Sequence, residues 1–448
     1  MKNRAPSQVL ALCGALFVFC GPSSAQTLAE ANAGVQLNFS TPGARSLGMG
    51  GAFVGLADDA TAAYANPAGL LVLSEPEVSL EGRTWDFRNA FVQGGRLDGN
   101  PSGRGIDTAS SLVEEEERET VNGVSFLSAV YPRRSWAVAV YRHELARYRA
   151  SFQTNGVFSG GERTLPEESF LDLGVTGVGL SAAWRLSSRL SIGGGIVSYD
   201  FSLLSSTRRY ALAAPDETAP GGLFGPSLFT PENLVDTQSL AGDERENGFN
   251  AGFRWDVGSG WSLGGVYREG PEFDIDALYL RGPLGEAGPA SQRLPARYDL
   301  PEVLGVGVAY QPTEFLTLTL DYVYVEYSDL LHGVVETLLV QPGVDLSSEA
   351  PFFKIDDAEE IHLGFESIVP YKQTLLAFRA GAWYDPDHSI RYEGQLPAFQ
   401  ASFLPGDDEL HYAAGFGFVI PKWQASFDAA FDYSAPVKTA SFSTVVTF

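Results

Sequence analysis

Beyond residue 25 the chain has no cysteine. Its two thiols, Cys13 and Cys20, lie in a stretch that reads Met1-Lys2-Asn3-Arg4, an apolar run from Val9 to Gly21, and then Ser23-Ser24-Ala25. These are the three parts of a secretory leader with its small-residue cleavage site, so residues 1–25 are read as a signal peptide and Gln26 as the mature start. A mature chain without thiols crosses an oxidising compartment with no risk of mispairing. Cys20 follows Phe17-Val18-Phe19 rather than the small residues of a lipoprotein box, which argues against acylation. Long hydrophobic runs are missing too. Nothing after Ala25 approaches the roughly 18 consecutive apolar residues of a membrane helix, so a membrane-spanning form of this chain has to be a barrel. Positive charge is scarce: 30 Lys and Arg stand against 55 Asp and Glu for a net −25, and losing Lys2 and Arg4 with the leader takes it to −27. That balance excludes nucleic acid as a partner. The acids gather in predicted loops, at Glu114-Glu115-Glu116-Glu117 and Asp243-Glu244-Arg245-Glu246. There they meet water or, through divalent cations, the anionic headgroups of outer-membrane lipid and lipopolysaccharide.

What the chain does have, from about residue 120 to Phe448, is apolar–polar alternation broken by short turns and long polar loops, the pattern of a transmembrane β-barrel. Residues 423–433 put Trp423, Ala425, Phe427, Ala429, Phe431 and Tyr433 on one face and Gln424, Ser426, Asp428 and Asp432 on the other. The first face suits lipid and the second a lumen. Fourteen segments near the length of a tilted spanning strand are predicted at 77–88, 121–132, 136–152, 169–185, 190–201, 248–257, 261–273, 301–311, 315–327, 359–369, 375–385, 409–420, 423–433 and 438–448. Alternate junctions are tight, at 132–135, 187–188, 258–260, 312–314, 370–372 and 421–422, and the others are mostly long. An even count with such turns places the short connections and both termini in the periplasm. Trp136, Trp184, Trp255, Trp261 and Trp423 fall beside tight turns, as an interfacial aromatic girdle does. With the apolar face outward, Asn250, Arg254, Asp256, Arg268, Thr317, Thr319, Asp321, His362, Glu366, Arg379 and His411 face a wet lumen.

Residues 33–71 do not alternate. They are rich in Gly and Ala and punctuated by Asp58-Asp59 and Asn66-Pro67, a composition suited to a compact segment folded into the lumen. Gly43, Gly48, Gly50 and Gly51 permit tight turns and close approach to a wall, and Asn66-Pro67 is a turn signal. In this segment Ala33-Gly34-Val35-Gln36-Leu37-Asn38, Ala57-Asp58-Asp59-Ala60 and Asn66-Pro67-Ala68 resemble the mature N-terminus, ADDA stretch and NPA box of the FadL/TodX family of outer-membrane transporters. Residues 300–312, Leu300-Pro301-Glu302-Val303 through Gln311-Pro312, resemble that family's eighth strand. The resemblance implies an all-β, 14-stranded antiparallel transmembrane β-barrel at 77–448 closed by an N-terminal hatch, or plug, at 26–76. Asp58, Asp59, Asn66, Pro67 and Ala68 are its hatch residues. It also implies a passive transporter in the Gram-negative outer membrane for long-chain fatty acids or similar hydrophobic compounds, caught outside and released past the hatch or through the wall. Residues 43–54 equally resemble the start of PorV-like barrels, which leaves a secretion-associated or structural barrel as the alternative.

Several predicted loops carry apolar clusters that are costly in water. Leu223, Phe224, Leu228 and Phe229 precede Thr230-Pro231-Glu232, a helix-start signal. Leu330, Leu331, Val334, Val335, Leu338 and Leu339 share one helical face. Two such segments make a lid over an apolar groove, and Phe224, Leu228, Phe229, Leu331 and Val335 are the candidate cargo contacts. An anionic cargo wants a cation, for which Arg208, with Arg209 beside Tyr210, or Arg281, Arg293 and Lys354 are available. Gly193-Gly194-Gly195 within a strand marks a bend, an opening or a seat for the plug. Enzymatic motifs fail. His143-Glu144-Leu145-Ala146-Arg147 has arginine where a zinc helix needs its second histidine, and Gly179-Leu180-Ser181-Ala182-Ala183 lacks the second glycine of a nucleophile elbow. No catalytic residue, metal or cofactor is assigned.

Overall fold

The computed structural model describes residues 39, 41–95, 112–154, 156–159, 162–163, 165–210, 229–282, 290–331, 340–341, 344–345, 347–396, 400, 403 and 405–448. Fourteen spanning strands follow one another around a closed barrel: β1 Glu77–Gly95, β2 Leu112–Pro132, β3 Trp136–Thr154, β4 Glu167–Arg185, β5 Leu190–Tyr210, β6 Leu234–Gly258, β7 in two pieces (Trp261–Arg268 and Glu272–Gly282), β8 in two pieces (Ala290–Asp299 and Val303–Thr313), β9 Leu316–Val325, β10 Ala358–Tyr371, β11 Thr374–Asp385, β12 Glu409–Ile420, β13 Ala425–Tyr433 and β14 Val437–Thr447. Neighbours are antiparallel, and β14 closes on β1 from Glu77↔Thr447 to Phe87↔Val437. Each predicted segment is one of these strands, and the tight junctions sit together at the end where Phe448 N–H donates to the Pro76 carbonyl. Among the described residues no helix is long and apolar enough to cross a membrane.

Alternation decides which way each strand faces. In the lower, periplasmic half of β4, Val178, Leu180 and Trp184 are exposed on the outside while Ser181 and Ala183 are buried inside. Ile192 and Ile196 on β5, Val138 and Val140 on β3, and Phe431 and Tyr433 on β13 extend this apolar belt. Trp136, Trp184, Trp255, Trp261 and Trp423 mark its lower rim, and Tyr384, Tyr412 and Tyr433 its upper.

Above the belt the pattern inverts. On the same strand β4, Leu171, Leu173 and Val175 are buried inside, and Asp172 lies outside, paired with Arg149 at 2.6 Å. On β5, Tyr199 and Phe201 point in while Ser202 and Arg208 face out. The strands β1, β2, β5 and β6 thus run well past their expected upper ends, because polar-out, apolar-in alternation suits a wall standing in water around a greasy interior. The expectation of a wet lumen is corrected accordingly: many polar inward residues sit at the level of the plug, and the lumen above it is mainly apolar, with the buried pair Arg209–Glu167 near the top of β4 and β5. A charge placed on the belt should expose this arrangement. Leu180→Arg, near mid-belt, is expected to lower unfolding free energy in lipid vesicles by about 2–4 kcal/mol, whereas Asp172→Leu, above it, should leave it within about 1 kcal/mol by denaturant titration.

Candidate functional site

The N-terminal segment folds into the barrel as two short helices, α1 Ala44–Gly48 and α2 Ala62–Ala65, followed by a 3-10 turn Pro67–Leu71. Its side chains are small, so its backbone rests directly on the wall, and the wall is glycine where they touch. A Cβ at Gly264 would stand 2.2 Å from the Val54 carbonyl oxygen, and one at Gly381 2.1 Å from Gly50 N. Gly193, Gly252, Gly307, Gly364 and Gly415 meet plug atoms in the same way. The glycine run 193–195 therefore seats Pro67 and Ala68 rather than opening the wall. Within the plug Gly43, Gly50 and Gly51 have φ of 100°, 65° and 77°, a backbone region closed to most side chains.

Two kinds of polar contact clamp it. Wall hydroxyls donate to plug carbonyls: Ser128 to Ala60 (3.0 Å), Ser181 to Ala63 (2.7 Å), Ser191 to Ala68 (3.0 Å) and Ser262 to Gly55 (2.8 Å). Asn66, fully buried, donates to the carbonyls of Val54 (3.1 Å) and Phe253 (3.0 Å) and accepts from Ala68 N–H (3.2 Å). That last bond caps the turn whose first residue is Pro67, the arrangement the Asn-Pro signal calls for. On the β10–β13 side the contacts are ionic. Arg45 joins Asp58 (2.6 Å) and Asp59 (3.4 Å) to Glu366 on β10 (2.9 Å), and Arg379 joins Glu366 (2.6 Å) to Asp428 (2.7 Å). The Asp321 carboxylate accepts from Val54 N–H (2.6 Å), and His362 Nδ1 donates to the Gly50 carbonyl (2.7 Å). Below the clamp lies a cavity of about 370 Å³ lined by Arg45, Asp59, Glu77, Glu366, Arg379 and Asp428. It is a vestibule of mixed character, since Ile368, Ala377, Val419, Ala425 and Val445 line it as well.

Above the plug one continuous apolar cluster includes Tyr64, Trp85, Phe87, Tyr148, Leu171, Leu173, Tyr199, Phe201, Phe273 and Tyr298, and reaches the roof residues Tyr327, Leu330, Phe353, Ile355, Ile390, Tyr392 and Phe403. Phe39, from the N-terminal side, packs edge-on against Tyr327 at 6.0 Å. The roof is tied by the short pair Phe353–Lys354 with Arg391–Tyr392 and by His388, stacked on Tyr327 at 4.1 Å and 9°. Burial opposes a charge on His388, but Asp385 at 3.4 Å outweighs it and lifts the imidazole pKa to about 9.

Among the described residues the backbone ladder of the wall lapses at more than one place: β6 and β7 are unpaired between Asn250↔Arg268 and Ala241↔Leu278, and a longer lapse lies between β2 and β3. The β2–β3 ladder runs only from Pro132↔Ala137 to Phe126↔His143. Beyond that, β2 pairs with β1 alone and β3 with β4 alone among the described residues. Both strands slip phase at this height, β2 where Ser125 is skipped against Glu81/Gly82 and β3 where Leu145 is skipped between Glu144 and Ala146. Such bulges bend strands apart. Among the described residues, side chains cross the resulting seam: Arg142 donates to the Val124 carbonyl and Ser151 meets the Glu119 carboxylate, while on the lumen side Phe87 of β1 stands 5.1 Å from Tyr148. A lumen cavity bounded by Trp85, Phe87, Glu144, Leu145, Ala146 and Trp383 reaches the seam.

Of the residues singled out from sequence, Asp58, Asp59, Asn66, Pro67 and Ala68 lie in the plug contacts just described. Leu331 packs against the apolar cluster and Phe229 sits edge-on to Tyr210 at 5.1 Å. Phe224, Leu228 and Val335 lie outside the described residues. Arg208 is corrected: it is exposed on the outer face of β5, and its neighbour Arg209 points inward, against Glu167 at 3.4 Å. Sequence reasoning did not find the seam. Its signal was the broken alternation at Leu145-Ala146.

A family model described as outer membrane protein transport protein (OMPP1/FadL/TodX) matches residues 23–446. Among solved structures, a Pseudomonas aeruginosa FadL homologue is similar with a TM-score of 0.63 at 15% identity, covering 91% of this chain and 98% of that one. The CymD monoaromatic hydrocarbon channel gives 0.56 at 18% identity (92% and 99% covered), and the Ralstonia pickettii toluene transporter TbuX 0.55 at 16% (92% and 99%). At these identities the likeness is one of fold. No curated protein matches the chain in sequence.

The clamp makes three expectations. Gly381→Leu should force the plug off the wall and produce steady conductance in planar bilayers while heat-dependent gel mobility still reports a folded barrel; unchanged conductance would mean that the plug is not the seal. Asn66→Ala removes three bonds from the plug and strands buried carbonyls at about 1–3 kcal/mol each, so transient openings in single-channel records should rise roughly tenfold or more. In the roof, the folded pKa of His388 lies above the ordinary ~6.5, so its contribution is complete below that pH and fades as pH rises through about 9. Protection factors in residues 386–393, taken relative to the intrinsic base-catalysed exchange rate at each pH, should fall between pH 7 and 10, and His388→Asn should remove that fall.

Proposed function

The chain belongs to the OMPP1/FadL/TodX family of outer-membrane transporters of hydrophobic compounds, and we propose that it delivers long-chain, fatty-acid-like cargo from the apolar roof into the lumen and out sideways through the β2–β3 seam. The observation that carries this reading is the contrast between the two ways out of the lumen. Downward, cargo that left the apolar cluster would have to displace the plug, with its buried ionic and hydrogen-bonded clamps, and cross a vestibule where Arg45, Asp59, Glu366, Arg379 and Asp428 stand among aliphatic residues such as Ile368 and Val419. Re-exposing apolar surface to such a space forfeits roughly 0.8 kcal/mol per methylene. Sideways, the seam begins level with the exposed lipid-facing residues Val124 and Leu127, so an apolar chain passing between β2 and β3 goes from one apolar surroundings to another. Diffusion down a gradient suffices, and no covalent step is called for. The secretion-associated alternative has no observation in its favour.

The absence of cysteine after residue 20 permits a direct test. Glu119→Cys/Ser151→Cys places two thiols where the wild-type side chains touch across the seam. In cells without another transporter, uptake of labelled oleate should exceed background with the barrel present, fall to background when the pair is oxidised, and return on reduction. Uptake untouched by a crosslink verified on gels would move the exit to the plug.

A further inference from the structure

We infer that the periplasmic turns beneath β2 to β6 form a docking platform for an anionic phospholipid of the periplasmic leaflet, recognised through its phosphate. The chain is poor in positive charge, with 30 Lys and Arg against 55 Asp and Glu. Two neighbouring turns nevertheless carry four arginines: Arg133 and Arg134 between β2 and β3, and Arg185 and Arg189 at the junction of β4 and β5. All four are exposed. None has a carboxylate within ion-pair distance among the described residues. The nearby Asp256 carboxylate accepts instead from Gly258 N–H at 3.0 Å. At the same end of the barrel the turns at 312–314, 370–372 and 421–422 carry one charge each, Glu314, Lys372 and Lys422, and the turn at 258–260 carries none. Positive charge is thus gathered on one arc of the rim.

Hydrogen bonds lace this arc into one surface. Arg185 N–H donates to the Ser135 carbonyl at 3.0 Å and Arg185 Nε to the Arg134 carbonyl at 3.1 Å, which fixes the β2–β3 turn against β4. Asp256 N–H donates to the Arg189 carbonyl at 2.8 Å, which fixes the β4–β5 turn against β6. The Arg133 guanidinium lies 4.2 Å from the centre of the Tyr131 ring, held by the cation–π attraction against the lipid-facing wall. Trp136 and Trp184, which are cross-strand partners, and Trp255 are exposed beside these arginines. Indoles of such a girdle sit at headgroup level, so guanidinium groups a few residues further toward the periplasm meet the phosphates. The planar fork of each matches two phosphate oxygens, and several cations at one membrane level select anionic over zwitterionic lipid. An acidic soluble protein would meet the same charges but would also have to cover the exposed Trp136, Trp184 and Leu186, which lipid covers already. The platform stands at the foot of the two seam strands, where their ladder is intact at Pro132↔Ala137, and it holds whether or not cargo passes the seam above.

The test folds the full-length barrel into phosphatidylcholine vesicles, checks folding by heat-dependent gel mobility, and compares the immobilised fractions of spin-labelled phosphatidylglycerol and phosphatidylcholine by electron paramagnetic resonance. A barrel of net negative charge should repel phosphatidylglycerol in the absence of a local site. The wild type is expected to favour it by roughly threefold or more, with the preference shrinking as salt is raised. Arg133→Gln/Arg134→Gln/Arg189→Gln should abolish the preference, and lysine at the same three positions should keep most of it. Arg185 is left in place because it also donates to the Leu71 carbonyl of the plug at 2.7 Å. Lys372→Gln/Lys422→Gln removes two cations outside the arc and should leave the preference intact. A folded wild type with no preference would overturn the inference and leave the arc to an acidic periplasmic protein. A preference that survives the triple glutamine variant, or that falls equally in the Lys372/Lys422 variant, would overturn it too, by showing that no local platform is involved.

Discussion

A backbone N–H or carbonyl facing hydrocarbon has no water to bond, so every strand of a membrane barrel has to be paired on both edges. This requirement closes β14 onto β1 and fixes the even strand count, and it makes each lapse informative. Between β2 and β3 the ladder stops at Phe126↔His143 while β2 continues for 14 residues and β3 for 11, and a second stretch without pairing separates Asn250↔Arg268 from Ala241↔Leu278 on β6 and β7. The first lapse is accompanied by two bulges at one height and is bridged by Arg142, which donates to the Val124 carbonyl.

The same requirement explains which features were readable in the chain. Alternation and turn lengths identify all fourteen strands, because a lipid-facing belt of Val, Leu, Ile and aromatics leaves a period-2 signal wherever the other face is polar. The upper wall was not readable for the opposite reason. Its outer face meets water and its inner face the apolar cluster of the lumen, so Leu171, Leu173 and Val175 carry the alternation in inverted sense relative to Val178, Leu180 and Trp184 on one unbroken strand. Segments such as 234–247 and 290–299 then read as polar loops. Arg208 shows how fine the margin is. A one-residue step along β5 moves a guanidinium from the outer face to the lumen, and no local pattern around Arg208-Arg209 says which of the two turns inward.

The plug was readable as a compact, small-residue insert, and its Asn-Pro turn as a cap. What sequence spacing could not supply was its partners. Glycines at 252, 264, 307, 364 and 381 are scattered over five strands and about 130 residues, yet all lie against the plug. A wall glycine in a strand is unfavourable on its own. Here the close approach it allows returns backbone hydrogen bonds and packing to a segment too short in helix to be stable alone.

The clamps on that plug are of two kinds. Toward β10–β13 it is held by Arg45, whose removal would leave Asp58 unpaired and Glu366 with Arg379 alone; breaking a buried ionic contact of this kind costs about 3–5 kcal/mol. Toward β2–β7 the bonds run from wall donors to plug carbonyls: the hydroxyls of Ser128, Ser181, Ser191 and Ser262, each worth about 1 kcal/mol net, and the guanidinium groups of Arg185 (to Leu71, 2.7 Å), Arg254 (to Leu56, 3.2 Å) and Arg268 (to Ala65, 2.9 Å), whose charge makes each bond stronger, about 1.5–3 kcal/mol. The two sides therefore differ in partner rather than in strength: carboxylates meet Arg45 on one, and backbone carbonyls meet arginines and serines on the other. Lifting the plug in either direction breaks contacts to charged groups, which is what a seal between two compartments needs.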